Sequence, residues 1–266
     1  MRQIDKQESK SIQIEMLAEI DRYCKNNNLM YFMSYGTLLG AVRHNGFIPW
    51  DDDIDIAMPY PDFKRFCQSY KNDIYKVNYW AINPSFHCNY AKFEDTRTLS
   101  EEDIDLSYQI GINIDIAPII GLPDNYRLAY LYFLCINTIR SMLTIKKIKQ
   151  KKERSVWKRL ELALLKCFCA PFSFYSINKM IDSLSSKYQF DTSKYAICVG
   201  SFNPAKEIIQ KETFNQSTKL SFENYSFNAP SKYDLWLKQI FGNYMKLPDE
   251  SKRVSRHTFK NYWVDK

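Results

Sequence analysis

The sequence predicts an α+β fold: a mixed sheet flanked by helices, with a helical segment in the middle of the chain. Three observations lead there. Acid and apolar residues alternate with period two at Asp53, Ile54, Asp55 and Ile56, and Ile112, Ile114 and Ile116 alternate in the same way with Asn113 and Asp115, as half-buried strands do. Ahead of both, Ile12, Met16, Ile20 and Tyr23 recur at helical spacing. From residue 124 to about 184 the pattern is mostly helical. With 266 residues the chain is long enough for a substantial core. Its 19 Tyr and 17 Phe against 7 Gly argue for packed elements with short connections and against low-complexity linkers.

Taken in order, residues 11–24 form a helix that docks one face on the core, with Leu17 and Cys24 widening the stripe and Asn26, Asn27 and Asn28 ending it. Residues 30–35 are a short apolar and aromatic strand, which Gly36 and Thr37 turn into a second helix over 38–43. Residues 46–50 are a loop closed by Pro49, and 53–58 a strand. Pro59 and Pro61 start a helix whose apolar face is Phe63, Phe66 and Cys67. Further strands are expected at 75–82, 89–94, 112–116, 195–199 and 222–227, with a helix over 231–241 and no internal repeat. The chain divides into a core over 1–125, a helical segment over 126–190, and a part over 191–266 that completes the same domain.

The formal charge of +7 suits an acidic partner: a nucleotide, a phosphorylated glycan or an anionic membrane surface. Part of the excess is local. Eight of the residues over 146–159 are basic (Lys146, Lys147, Lys149, Lys151, Lys152, Arg154, Lys158 and Arg159), against the single acid Glu153. This cluster lies between two apolar runs, 128–143 and 160–174, so it is either the solvated face of a core helix pair or a peripheral membrane contact. No stretch reaches the ~20 apolar residues of a spanning helix. The polar start of the chain has no signal-peptide pattern. The seven Cys are dispersed, with Cys167 and Cys169 too close for a zinc knuckle, so reduced thiols and a cytoplasmic setting are expected. His87 and Cys88 have no second ligand pair at metal spacing and read as structural.

The chemistry concentrates in residues 36–55, GTLLGAVRHNGFIPWDDDID. Gly36 and Thr37 stand between strand and helix, where backbone N–H groups and the helix dipole can hold a phosphate. Arg43 and His44 follow about two turns on, and both can donate to phosphate oxygens. Asp51, Asp52, Asp53 and Asp55 then place four carboxylates in five residues, which repel one another unless a cation binds them. Strand alternation puts Asp53 and Asp55 on one face, and Asp115, on a later strand with the same alternation, can close the site as a third carboxylate. A lone acidic run is more often a solvated loop. Here it borders Trp50 and an Ile-rich strand, and burying unpaired carboxylates is costly, which favours Mg²⁺ or Mn²⁺ at Asp51, Asp53, Asp55 and Asp115. Tyr31, Phe32, Tyr35 and Trp50 read chiefly as core, with a cation–π cage for a quaternary ammonium as the lesser alternative.

The order strand, Gly-Thr, helix, Asp-x-Asp strand, later Asp resembles the nucleotidyltransferase fold. The longer string SYGTLLGAVRHNGFIPWDDDIDIAM resembles the LicD family, which includes bacterial phosphocholine transferases and the related animal fukutin-type proteins. The segments AKFEDTRT with Lys92 and Asp95, GINIDIAPIIGLP around Asp115, and YDLWLKQIFGNYMKLPDESKR followed by His257 agree; the resemblance thins between about 126 and 195. It implies transfer of phosphocholine, or another phospho-alcohol, from a CDP-linked donor such as CDP-choline to a sugar hydroxyl of a teichoic acid, lipopolysaccharide or capsule precursor, releasing CMP. By position, it makes Asp53 and Asp55 metal ligands, Gly36 and Thr37 the phosphate turn, and Asp115 a third carboxylate and candidate base. Asp51, Arg43, His44 and Lys92 are supporting residues. It also implies a glycan acceptor; no nucleic-acid partner is expected, and the place is cytoplasmic, with the basic cluster leaving open a lipid-linked acceptor and a peripheral position at the inner face of the cell membrane. Two rivals stay open: nucleotidyl transfer by the same carboxylates, and a non-catalytic relative that only binds glycan or membrane.

Overall fold

The computed structural model describes residues 1–101, 108–148, 155–200, 203–255 and 260–264. Strand β1 (Arg2–Ile4) leads into helix α1 (Lys6–Asn26), capped where the Asp5 carboxylate accepts the Glu8 N–H at 2.8 Å. Strand β2 (Phe32–Met33), helix α2 (Tyr35–His44), strand β3 (Asp55–Pro59) and helix α3 (Tyr60–Ser69) follow. Then come β4 (Tyr75–Asn78), β5 (Ala91–Asp95), β6 (Thr98–Glu101) and the ten-residue β7 (Asn113–Leu122). Three helices succeed them: α4 (Tyr126–Lys147), α5 (Val156–Cys169) and α6 (Phe174–Ser185). The last part holds β8 (Tyr195–Cys198), α7 (Pro204–Glu207), β9 (Ile209–Gln210), β10 (Ser217–Phe222), β11 (Tyr225–Pro230), α8 (Tyr233–Phe241) and β12 (Lys260–Trp263).

The main sheet runs β2-β3-β7-β5-β4, with β8 and then β9 added along the second half of β7. Only β3 and β7 pair in parallel, so the sheet is mixed. Its apolar face, with Ile56, Ile114, Ile116 and Phe93, joins Met16, Leu17 and Ile20 of α1 and Phe63 and Phe66 of α3 in one buried cluster. A second cluster forms where Ile120 and Leu122 of β7 and Ile197 of β8 meet Phe133 and Ile136 of α4 and Ile177 and Ile181 of α6. The α+β expectation holds, and the helical segment is packed on the sheet through this second cluster.

Several elements differ from their expected bounds. The strand expected over 222–227 is a β10–β11 hairpin turning at Glu223, whose φ of 53° interrupts an unbroken alternation. A sheet joining both ends of the chain, β1-β12-β6, has no signature in local pattern. Helix α4 corrects the expectation about length: its 22 residues are long and apolar enough by composition to cross a membrane. The apolar run continues past Arg140 because that guanidinium is tucked inside rather than ending the helix.

Candidate active site

The register of three adjacent strands builds the centre of the site. Asp55 of β3 stands beside Asp115 of β7, and Lys92 of β5 stands beside Asp115 on its other side. The three side chains therefore form one row across the sheet, opposite the face that Ile56 and Ile116 give to the core. Lys92 Nζ donates to Asp115 Oδ1 at 2.9 Å and to Asn113 Oδ1 at 2.8 Å. Asp53 lies just before β3, on the other side of the buried Ile54.

Three cavities of about 550, 590 and 550 Å³ meet at these carboxylates. Asp53 lines the first and third, Asp115 the first and second, and Asp55 the second and third. The first is polar, with Lys6, Gln13, Asn113 and Asn261 in its wall. The second is bounded by Tyr35, Tyr90, Arg140 and Glu207. The third carries Arg43, Trp50, Lys246 and Lys252.

Helix α2 fixes one side of the site. It begins earlier than the sequence suggests, so Gly36 and Thr37 lie in its first turn rather than ahead of it. Thr37 Oγ1 accepts the Asp55 N–H at 2.8 Å, tying the helix to the acidic strand. A Cβ on Gly36 would come within 2.6 Å of Asp51 Oδ2, so glycine lets that carboxylate approach the helix N-terminus, where the dipole favours negative charge. Asp51 thus stands beside Gly36, and both line the third cavity. Tyr35 makes the strand-to-helix turn with φ 44°, a left-handed conformation that a bulky residue adopts only when its surroundings hold it there. Its hydroxyl donates to Glu207 Oε2 at 2.8 Å.

The electrostatics are those of an anionic centre. Burial pushes the Asp55 carboxyl well above its ordinary value; the Asp53, Asp115 and Asp51 charges add to the rise, and Lys92 opposes it. An oxygen-only, like-charged donor set of this kind fits a hard divalent cation. Among the described residues, no three His, Cys, Asp or Glu side chains stand converged as a finished cage. Lys92 meanwhile holds one oxygen of Asp115.

The other expected residues fall in distinct places. Lys92 is buried and pairs with Asp115, so it serves the carboxylate row rather than standing open to a donor phosphate. Arg43 lines the third cavity, and its Nη1 donates to the Tyr244 carbonyl at 2.9 Å. His44 lines none of the three cavities; its Nε2 accepts from Arg43 Nε at 2.9 Å, and burial, with the Arg43 charge, lowers its pKa. Of the aromatic candidates, Tyr31 and Phe32 are buried in the core, whereas Tyr35 and Trp50 reach cavities. His87 is buried, with Nδ1 2.6 Å from the Tyr108 hydroxyl. His257 lies outside the described residues.

Three site residues went unassigned by the sequence. Tyr90, raised well above the ordinary phenol value by burial and then by the Asp115 charge, is also hydrogen-bonded to Asp115. Arg140 of α4 is buried and donates to the Val199 and Gly200 carbonyls. Glu207, at the end of α7, is buried at the rim between the second and third cavities.

Residues 28–120, which carry α2, the acidic run and all three strands of the row, match the family described as LicD/FKTN/FKRP, nucleotidyltransferase domain. This match, with the relative that follows, supports a transferase. Over 268 aligned residues the chain is 26% identical to the lipopolysaccharide cholinephosphotransferase LicD of Haemophilus influenzae, covering 98% of this chain and 99% of that one. Shorter matches centre on part of the chain. An uncharacterized protein of Rickettsia typhi is 35% identical over 71 residues, 26% of this chain and 23% of its own length. Mannosyltransferase regulator 4 of Saccharomyces cerevisiae is 29% identical over 70 residues, 26% of this chain and 6% of that protein.

Proposed function

We propose that the protein transfers phosphocholine, or a closely related phospho-alcohol, from a CDP-linked donor to a sugar hydroxyl of a lipopolysaccharide or similar cell-surface glycan precursor. The observation that carries this reading is the Asp55–Asp115–Lys92 row placed where three cavities meet. Its chemical direction comes from a relative, aligned end to end, that is named for cholinephosphate transfer to lipopolysaccharide.

In this reading each cavity takes one part of the reactants. The third cavity, where Arg43, Lys246, Lys252 and Trp50 face Asp51, Asp53 and Asp55, takes the nucleotide and its phosphate. The second, with the rings of Tyr35 and Tyr90 and the Glu207 carboxylate, suits a quaternary ammonium. The polar first cavity takes the acceptor sugar. Asp53 and Asp55 would hold Mg²⁺ or Mn²⁺, which would neutralise the diphosphate and let the four carboxylates stand together. Asp115, kept in place by Lys92 and Tyr90, accepts the proton of the acceptor hydroxyl. The hydroxyl oxygen bonds to the choline-bearing phosphorus, the bond from that phosphorus to the bridging oxygen breaks, and the bridging oxygen leaves with CMP.

Incubation with Mg²⁺ or Mn²⁺, a panel of CDP-alcohols and a choline-free lipopolysaccharide acceptor tests this. CMP release together with phosphocholine on the glycan, lost on chelation, is expected. Pyrophosphate release from a nucleoside triphosphate, with the nucleotide on the acceptor, would replace the reading with nucleotidyl transfer.

A further inference from the structure

Helix α5 is amphipathic the wrong way round for a core helix. Advancing about 100° per residue, Val156, Trp157, Leu160, Leu164 and Phe168 fall within one arc of about 120°. Leu162 and Cys169, the buried residues of the helix, lie on its opposite side. The apolar arc therefore points away from the protein, with Trp157 81% exposed, Phe168 71% and Leu164 65%. Leu128 and Leu131 of α4 and Tyr175 of α6 are exposed as well. A group of this size, five of whose side chains belong to one helix, is more than the scattered exposed leucines of a soluble surface.

What covers it is indicated by charge. On the same wheel Lys158, Arg159 and Lys166 lie about 60–80° beyond the edges of the apolar arc, on the polar side of α5, and the single acid Glu161 lies at the arc's edge. An anionic lipid surface satisfies both features at once: the arc enters the headgroup–acyl boundary and the cations meet the phosphates. The C-terminal end of α4 adds position. Leu143, Thr144 and Lys147 line the second cavity, and Lys147 also lines the first, so the helix packed beside α5 forms the wall of the cleft.

We infer that α5 is an interfacial membrane-docking helix, which seats the outward apolar arc in an anionic bilayer and sets the catalytic cleft against the membrane surface. The attachment itself is independent of the proposed reaction.

Flotation of the full chain with vesicles of phosphatidylglycerol and phosphatidylcholine, and with phosphatidylcholine alone, tests it. The protein floats with the anionic vesicles and shows a blue-shifted tryptophan emission that the Trp157→Phe variant lacks. The triple variant Trp157→Gln/Leu164→Gln/Phe168→Gln binds at least about tenfold more weakly. Because these side chains face outward, its thermal midpoint stays that of the parent, which separates loss of docking from loss of fold. Lys158→Gln/Arg159→Gln/Lys166→Gln weakens binding about as much and removes its salt dependence. Equal binding of parent and triple variant, or no flotation at all, overturns the inference. So does a concentration-dependent dimer by sedimentation velocity that the triple variant abolishes, which would assign the face to a second copy.

Discussion

Two regions of this molecule break the usual partition of apolar inside and charged outside, in opposite senses. On the sheet, Lys92, Glu94 and Asp95 are buried. On α5, the largest apolar side chains are the most exposed. The buried charges are answered by partners: Asp95 by Arg97 at 2.6 Å, Glu94 by the Asn78 amide at 3.0 Å, Lys92 by Asp115 at 2.9 Å. Within the described chain, the outward apolar arc is matched by no comparable packing. A buried charge with a partner indicates a site finished within the chain, whereas an exposed apolar face indicates one finished by something else. In both regions local stability is given up, which is where function is expected to lie.

Three substitutions probe that contrast. The largest effect is expected on the sheet. Asp55→Asn keeps the size of the side chain and removes the charge, so turnover measured as CMP release should fall about a thousandfold. Stability should move the other way. The folded carboxyl is raised above the unfolded value, so the folded state holds its proton more tightly and loses stability as pH rises between the two values. Without added metal, the Asn variant should therefore unfold at the same or a higher temperature than the parent at neutral pH. Normal turnover in this variant would remove the row from the chemistry.

Arg140→Met tests whether the two regions are separable. Its guanidinium reaches from α4 to the Val199 and Gly200 carbonyls, beside the cavity that Asp55 and Asp115 share. Removing it leaves buried acceptors unpaired, and a loss of roughly 2–3 kcal/mol is expected in denaturant unfolding, with a fall in turnover. A variant with unchanged stability and turnover would make α4 an appendage to the cleft.

The smallest effect is on acid stability. Burial, with help from Lys147 and Lys92, lowers the His87 pKa to about 3, against 6.5 for the ordinary group. Between these values the unfolded chain binds a proton that the folded chain refuses, so this contribution to stability is lost as pH falls from 6.5 towards 3. The difference in thermal midpoint between pH 7 and pH 4 should be smaller in His87→Gln than in the parent. Equal differences would mean that His87 is protonated without cost.

What was legible in the sequence was what short-range pattern can encode. Asp53, Asp55 and Asp115 stood out because acid–apolar alternation states both the strand and the face. Their sharing of one row needed the β3–β7 register, which no local pattern contains. The resemblance marked Lys92 only as a supporting residue, and the β5 pairing shows that its partner is Asp115. Tyr35 was hidden among core aromatics, since a left-handed φ leaves no mark on a tyrosine. Arg140, within the apolar run 128–143, carried no assigned role because its acceptors, Val199 and Gly200, come from a distant part of the chain. The outward face of α5 followed the same logic: the apolar run was visible, but its direction depends on which side Leu162 and Cys169 turn to the protein.

The parallel pairing of β3 with β7 also governs the order in which the site is assembled. To set Asp115 beside Asp55, the chain must first pass through α3, β4, β5 and β6, and non-local pairing of this kind is slow because the connecting loop is closed before its contacts repay the entropy. The hairpin β10–β11 and helix α1 need no such crossing. The acidic row thus rests on a long crossover, and the strand that brings Lys92 lies within it, so the closure that sets the two aspartates side by side also spans the lysine that pairs with Asp115.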